Sequence, residues 1–384
     1  MTKREVITKA IEGRLSWLQA ADILGITVRH MRRLRRSIEQ HGFGGLRDGR
    51  SGNTRRKRIP VETIDKLLRL RREKYADFSV KHFHERVTER HGIALSYTWT
   101  KEVLQAAGLA DRAPGRGKYR RKRERRPMVG MLVHLDASTH RWLPALPMQD
   151  LVVALDDADG RILYAKFVEQ EGTLSTMEAL WQVLARYGRF CELYTDRGSH
   201  FCTTSQKNQD PDEAQHGQVS RVLKALGIRQ ILARSPEARG RSERAFGTIQ
   251  GRLPQELRAA GIKSYTTAQR YLSEVFVADF NRRFTVAATQ RESAFSKVPQ
   301  TDLRLLLSAQ TERVVRKDNT VVFNGLTLQL EPTRHRLHFV RCPVLVHEFF
   351  DGTLGVSYQG ALIQSFDRDG ARLHDPPRAQ QPAA

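Results

Sequence analysis

Residues 128–136 read MVGMLVHLD, an apolar run closed by an acid, and residues 192–196 read ELYTD, a shorter run closed the same way. Short apolar runs bounded by turn-forming residues predict buried strands. Between them, residues 150–156 and 161–168 flank Asp157-Ala158-Asp159-Gly160, the signature of a hairpin. Thr173 then opens a helix with Leu174, Met177, Leu180, Val183, Leu184 and Tyr187 on one stripe. Residues 219–226 read as a helix and 229–233 as a strand. Ser235-Pro236 starts a loop to Gly240, and a long helix is expected from about Arg241 to Ala260, kinked at Pro254. Strand, hairpin, helix, strand, helix, strand, helix predicts a mixed α/β sheet flanked by helices.

Two acids, Asp136 and Asp196, are expected at the C-terminal ends of strands, the rim where open α/β sheets bind ligands. Glu243 precedes Phe246 by one turn in a helix whose stripe is Phe246, Ile249, Leu253 and Leu257, so it is expected to project from the edge of that stripe towards the sheet. Acids are common, and any one of these alone proves nothing. Three that converge would repel one another unless a divalent cation stood between them, and hard oxygen ligands suit Mg²⁺. Two such ions ~4 Å apart activate an attacking oxygen and stabilise the leaving oxygen of a phosphodiester. Arg197, Arg239, Arg241 and Arg244 flank the acids and are expected to hold phosphate nearby.

Upstream of this core the chain changes character. Of its 384 residues 65 are Lys or Arg and 42 Asp or Glu, a formal charge of +23. The first 127 residues carry 33 Lys/Arg against 14 Asp/Glu, so most of the excess lies in the first third. The partner for such a layout is a polyanion, because release of condensed counterions from nucleic acid drives binding. Residues 20–27, AADILGIT, place small alanines, a helix-ending glycine and an N-cap threonine ahead of a helix bearing Arg29, Arg32, Arg33, Arg35 and Arg36, with Met31 and Leu34 inward. That is a helix-turn-helix with a recognition helix suited to a major groove.

Residues 42–58 read as a glycine-rich basic linker or minor-groove arm. A second helical unit follows, with helices expected from Val61 to about Tyr75, from Ser79 to about His91, and from Ser96 to Ala107. Its histidines, His82, His84 and His91, lack a matching cysteine or carboxylate pattern and read as core or solvated side chains. Residues 112–126 hold nine Lys/Arg and one Glu, including Arg120, Arg121, Lys122 and Arg123, and are expected to lie on phosphate.

Several classes are excluded from the composition. No apolar run reaches the ~18 residues of a membrane span. The start, MTKREVITKAIEGRLSW, lacks the apolar core of a signal peptide, so the expected location is the cytoplasm, with nucleoid association. Three cysteines, Cys191, Cys202 and Cys342, are too few for a disulfide framework. At the far end, strands are expected at 312–316, 320–323, 326–330, 344–350 and 353–358, with hairpin turns at Asn324-Gly325 and Asp351-Gly352. Five short strands suggest a small closed β-barrel.

With these residues in place, a resemblance emerges. HLDAS around Asp136, YTDRGSHF around Asp196 and SPEARGRSERAFGTIQGRL around Glu243 resemble the core of DDE transposases and retroviral integrases. Together with WLQAADILGITVRHMRRLRR, they are most similar to bacterial insertion-sequence transposases of the ISNCY group. The resemblance spans roughly residues 1–366. The residue patterns divide this multidomain chain into helix-turn-helix domains at 1–45 and 59–110, a basic linker at 111–127, a core at 128–300, a barrel at 311–366 and a disordered tail at 367–384, and the resemblance implies that the core is an RNase H-like catalytic domain. It implies that Asp136, Asp196 and Glu243 hold two Mg²⁺ or Mn²⁺ ions. The partners it implies are double-stranded DNA, as element ends and as target, and further copies of the chain on that DNA, with no membrane. The activity it implies is 3′-end cleavage at terminal inverted repeats followed by strand transfer. One departure stands out: the stretch 197–242, 46 residues, exceeds the usual spacing, and the excess falls on the polar segment 203–217. That segment carries Asp210, Asp212 and Glu213 as competing acids, although a surface loop fixes a metal ligand poorly. Two other readings remain open: a DNA-binding regulator with a degenerate core, and a nuclease of the same fold that cuts without joining.

Overall fold

The computed structural model describes residues 1–46, 59–112, 124–201, 217–233, 240–298, 302–334 and 336–373. The chain divides into two compact units, Met1–Leu67 and Leu68–Ala384. In the first unit three helices, α1 (Lys3–Ile11), α2 (Trp17–Ile23) and α3 (Val28–His41), each begin on a hydroxyl N-cap. Thr2, Ser16 and Thr27 accept from the backbone N–H three residues on, at 3.3, 3.2 and 3.3 Å. Val6, Ala10, Ala20, Ala21 and Met31 form their shared core. Gly25, at φ 60°, turns α2 into α3. The expected linker opens with a 3₁₀ turn, Gly42–Leu46; its remainder, 47–58, lies outside the described residues.

Helix α4 (Val61–Glu73) runs across the unit boundary, and α5 (Val80–His91) and α6 (Tyr97–Ala106) follow in the second unit. The central sheet comprises β1 (Leu132–His140), β2 (Gln149–Asp156), β3 (Ile162–Val168), β4 (Glu192–Thr195) and β5 (Arg229–Leu232), in the order β3-β2-β1-β4-β5. β1, β2 and β3 are antiparallel; β4 and β5 run parallel to β1. Both faces are covered. Val133, Leu135, Val152 and Ala154 pack on α7 (Thr173–Tyr187) and α8 (Gln218–Leu226). Leu151, Val153 and Leu155, alternating with these along β2, pack on α9 (Gly240–Gln250), α10 (Leu253–Ala259) and α12 (Val277–Phe284).

Two local expectations give way. β1 does not end at Asp136: Ala137–His140 continue it, paired with Gln149–Val152 of β2. The helix expected from Arg241 to Ala260 is two helices, broken at Gly251-Arg252, because Pro254 lacks an N–H and suits the first turn of a new helix. This layer closes with α11 (Tyr265–Tyr271), joined to α12 through a π-helical turn, Leu272–Phe276.

After α13 (Leu303–Leu306), the C-terminal strands form β6 (Ala309–Val314), β7 (Thr320–Phe323), β8 (Leu326–Gln329), β9 (Pro343–Glu348), β10 (Leu354–Tyr358), β11 (Ala361–Phe366) and β12 (Arg372–Leu373). The expected closed barrel is absent among the described residues. The sheet is open, in the order β12-β11-β10-β9-β6, and β7 and β8 pair only with each other. Closure needs the last strand to return to β6, and the two-residue β12 stops beside β11. The same strand puts part of the expected tail into regular structure; 374–384 lie outside the described residues. No helix among the described residues is long and apolar enough to cross a membrane.

Candidate active site

Alternation along β1 sends Val133 and Leu135 into the core beneath α7 and α8, and sends His134 and Asp136 to the face covered by α9. There Asp136, 8% exposed, adjoins Ser242, Phe246 and Ile249. The space left between them is about 10 Å³, enough for at most one water, so this side of the carboxylate is closed by packed side chains. The parallel pairing of β1 with β4 ends at His134↔Tyr194, two residues short of each acid. Asp136 and Asp196 therefore follow the same rung on neighbouring strands. Asp196 is half-buried, and its Oδ1 accepts from Gly198 N at 2.8 Å. A Cβ on Gly198 would lie 3.0 Å from that oxygen and 3.0 Å from the His200 ring.

Glu243 stands in the first turn of α9. Ser242, Phe246 and Ile249 form the buried face of this helix, and Gln250 Nε2 donates to Ser138 Oγ at 2.7 Å, tying its far end to β1. Neighbouring helix residues point about 100° apart. With Ser242 turned inward, Glu243 is exposed. Asp136 and Asp196 thus stand at equivalent positions of neighbouring parallel strands, and the helix packed over Asp136 carries Glu243 on its exposed flank. Among the described residues no group of three His, Cys, Asp or Glu side chains is arranged to hold a metal ion. The donor chemistry of Asp136, Asp196 and Glu243, three carboxylates, suits a hard divalent cation.

One buried carboxylate escapes the sequence reading. Asp157, 1% exposed, lies 2.7 Å from His134 Nε2, accepts from Arg126 N at 2.7 Å and pairs with the Arg241 guanidinium. Burial alone would raise its pKa, but the His134 and Arg126 hydrogen bonds and the Arg241 charge hold it well below the usual carboxylate range. Its neighbour Asp156 shows the opposite balance: burial prevails over the N–H groups of Gly130 and Ala158 and pushes it up to about 6. In the sequence these acids announce only a hairpin turn. Asp157 ties β1, the end of the basic segment and the start of α9 to one point.

The five expected DNA-contacting arginines of α3, Arg29, Arg32, Arg33, Arg35 and Arg36, are all exposed, opposite the buried Met31 and Leu34. Arg35 pairs with Glu39 at 2.7 Å and lies over the Trp17 ring. Arg197 and Arg244 are exposed beside the acids, and Arg241 is engaged by Asp157. Arg120, Arg121, Lys122, Arg123 and Arg239 lie outside the described residues, as does most of the 203–217 segment. Of the three histidines, His82 is fully buried and 2.8 Å from Glu256, His84 contacts Leu95 O, and His91 contacts the Tyr75 hydroxyl.

No family model matches the chain. Among curated proteins it is 30% identical over 375 residues to "Putative transposase y4bF" of Sinorhizobium fredii (strain NBRC 101917 / NGR234), covering 96% of this chain and 81% of the relative. It is 27% identical over 391 residues to the transposase for insertion sequence IS1202 of Streptococcus pneumoniae, covering 92% and 83%. Among solved structures, a chain of the simian T-cell lymphotropic virus intasome in complex with PP2A regulatory subunit B56 gamma aligns at a TM-score of 0.35 and 14% identity, covering 74% of this chain and 95% of that one. The HTLV-2 integrase catalytic core domain in complex with magnesium, in its dimeric form, aligns at 0.30 and 16%, covering 42% and 93%. These structural scores are low; the sequence relationship is long and nearly collinear, and by it the chain belongs to the transposases of insertion sequences.

Proposed function

We propose that the chain is a DDE transposase of the ISNCY group. On this reading it binds the terminal inverted repeats of its element, cuts the 3′ ends in a Mg²⁺- or Mn²⁺-dependent step and transfers them to target DNA. The observation that carries it is the placement of Asp136 and Asp196 at equivalent positions, two residues beyond the last β1–β4 pair, with the helix bearing Glu243 packed over Asp136. The strand order β3-β2-β1-β4-β5, antiparallel then parallel, supports an RNase H-like core.

In this proposal Asp136, Asp196 and Glu243 hold two divalent ions, which when bound activate the attacking oxygen and stabilise the leaving oxygen. The chain's own part is to fix two carboxylates on rigid neighbouring strands, to close one side of Asp136 with Phe246 and Ile249, and to offer Arg197 and Arg244 to the phosphates on either side. The arginines of α3 and the basic segment 111–127 hold the DNA, and two ends are brought together by a multimer. The site of action is the bacterial cytoplasm, on the nucleoid.

The test is Mg²⁺-dependent nicking of a labelled duplex carrying the element's end. Asp136→Ala, Asp196→Ala and Glu243→Ala are each expected to lower the rate by about 10³-fold, the scale of losing an electrostatic group at a reacting centre. Undiminished cutting by all three would refute the assignment. Cutting with no joined product in a strand-transfer assay would leave a nuclease, and DNA binding with neither Mn²⁺ uptake nor cutting would leave a regulator.

A further inference from the structure

Helix α5 carries His82, Glu85, Arg86 and Glu89 at i, i+3, i+4 and i+7, a single face. That face meets α10 and α12 through charge. Glu256, 4% exposed, lies 2.8 Å from His82 Nε2 and 2.5 Å from Arg86 Nη2, and accepts from the Tyr271 hydroxyl at 2.8 Å. Arg86 also reaches Asp279 at 3.2 Å. In the opposite sense, Glu85 takes Arg252 at 2.8 Å and Arg283 at 3.2 Å, while Glu89 takes Arg282 at 3.2 Å and Arg283. Each side contributes both signs. A turn of α5 about its axis by one residue would set Glu85 where Arg86 now meets Glu256, like against like.

Burying charge in this way is a poor route to cohesion, since desolvation offsets the attraction; what paired buried charges do supply is a defined register. Two further observations say what the register is for. The boundary between the compact units falls at Leu67/Leu68, before α5, so α5 and α6 belong with the sheet that bears Asp136 and Asp196 rather than with α1–α3. The start of α6 also presents Tyr97, 39% exposed, with the exposed Lys81 ammonium 5.5 Å over its ring and 3.5 Å from Glu85, so a flat ring and a lysine that can contact phosphate adjoin the clasp.

We propose that the α5–α10–α12 clasp fixes α6 at one orientation to the candidate active site, so that DNA contacts made from Lys81 and Tyr97 determine which phosphodiester is cut. His82, Glu85, Arg86 and Glu256 are positioning residues for cleavage register. The inference rests on the transposase reading and adds to it the determinant of cut position.

The experiment maps cut sites, at single-nucleotide resolution, on a labelled duplex ending in the element's terminal repeat, with the full-length protein and Mg²⁺. Glu256→Gln keeps the shape and removes the charge. It is expected to bind the duplex within about twofold of the unmodified protein, because Glu256 is buried and neutralises no phosphate. It is also expected to spread its cuts over several neighbouring phosphodiesters. A merely structural role would slow cutting at the original position, and a single unshifted cut site in Glu256→Gln would overturn the proposal. Should that variant fail to fold, a graded pair of substitutions at Glu85 decides. Glu85→Gln and Glu85→Arg, which weaken and then reverse the pairing with Arg252 and Arg283, should broaden the cut pattern progressively, whereas unshifted patterns in both would overturn it. An unmodified protein that cuts nowhere would instead overturn the transposase reading, and this inference with it.

Discussion

Gly198 shows how closely a single residue can bound the candidate chemistry. Its N–H holds Asp196 Oδ1 at 2.8 Å, and a methyl group there would stand 3.0 Å from the same oxygen, so one of the two must move. Gly198→Ala shifts Asp196 by a few tenths of an ångström and is expected to lower nicking by about tenfold, less than the ~100-fold of a 1 Å misplacement, with DNA affinity retained; equal rates in a single-turnover assay would rule this out. Far from that site, His347 is buried, its ring nitrogens 2.8 Å from Ser308 Oγ and 2.7 Å from Ser357 Oγ. Burial first, and then the Arg221 charge, push it down to about 4. A histidine depressed in the folded state stays neutral there while the unfolded chain takes up a proton. Its effect is therefore nil above pH 6.5, and stability falls as pH drops from 6.5 to 4, by about 3 kcal/mol at most. His347→Gln should flatten the pH dependence of urea unfolding in that window, and an unchanged profile would exclude His347 as the cause.

At the scale of elements, α5 and α9 separate what the sequence discloses from what it withholds. The sheet is legible because its strands are apolar runs set between turn residues, and the alternation of Leu151, Val152, Val153, Ala154 and Leu155 matches a strand packed on both faces. Asp136 and Asp196 are legible for the same reason: they interrupt such runs. The burial of Ser242 beside an exposed Glu243 is not, because both are polar and only the packing of Phe246 and Ile249 decides which of them faces β1. Nor is the clasp. His82, Glu85, Arg86 and Glu89 make a charged helical face that reads like a solvated one until α10 and α12, about 170 to 190 residues away, supply the complementary charges. The same physics gives the cost of breaking it. Arg86→Met leaves Glu256 buried with less of its compensation and should destabilise the second unit by about 3–5 kcal/mol. Denaturant unfolding checks this, and a loss below about 1 kcal/mol, the value of an exposed pair, would mean that water reaches the clasp.

Across the whole chain, charge is divided unequally: the first 127 residues hold 33 of the 65 basic side chains and only 14 of the 42 acidic ones. Much of the acidic complement after that point is consumed internally, as Glu192 by Arg126 and Arg229, Asp279 by Arg86 and Arg283, and Glu256 by Arg86. In α3 the arginines are instead exposed; of the five, Arg35 alone has a carboxylate partner, Glu39, among the ion pairs of the described residues. Phosphate neutralisation by such a helix is measurable, because each contact releases counterions and steepens the fall of log K with log salt by roughly 0.9. Replacing Arg32, Arg33 and Arg36 by Ala should therefore flatten that slope by about 3 and weaken binding to all sequences alike, if these side chains meet only the backbone. A loss confined to the element's own ends, with the slope unchanged, would instead assign them to base edges in the major groove. Asp136→Ala should leave the slope as it is or raise the affinity slightly, since it removes a negative charge and no phosphate contact. A titration of all three proteins, the unmodified chain, the triple arginine variant and Asp136→Ala, across 50–200 mM salt thus separates the part of the chain that holds DNA from the part proposed to cut it.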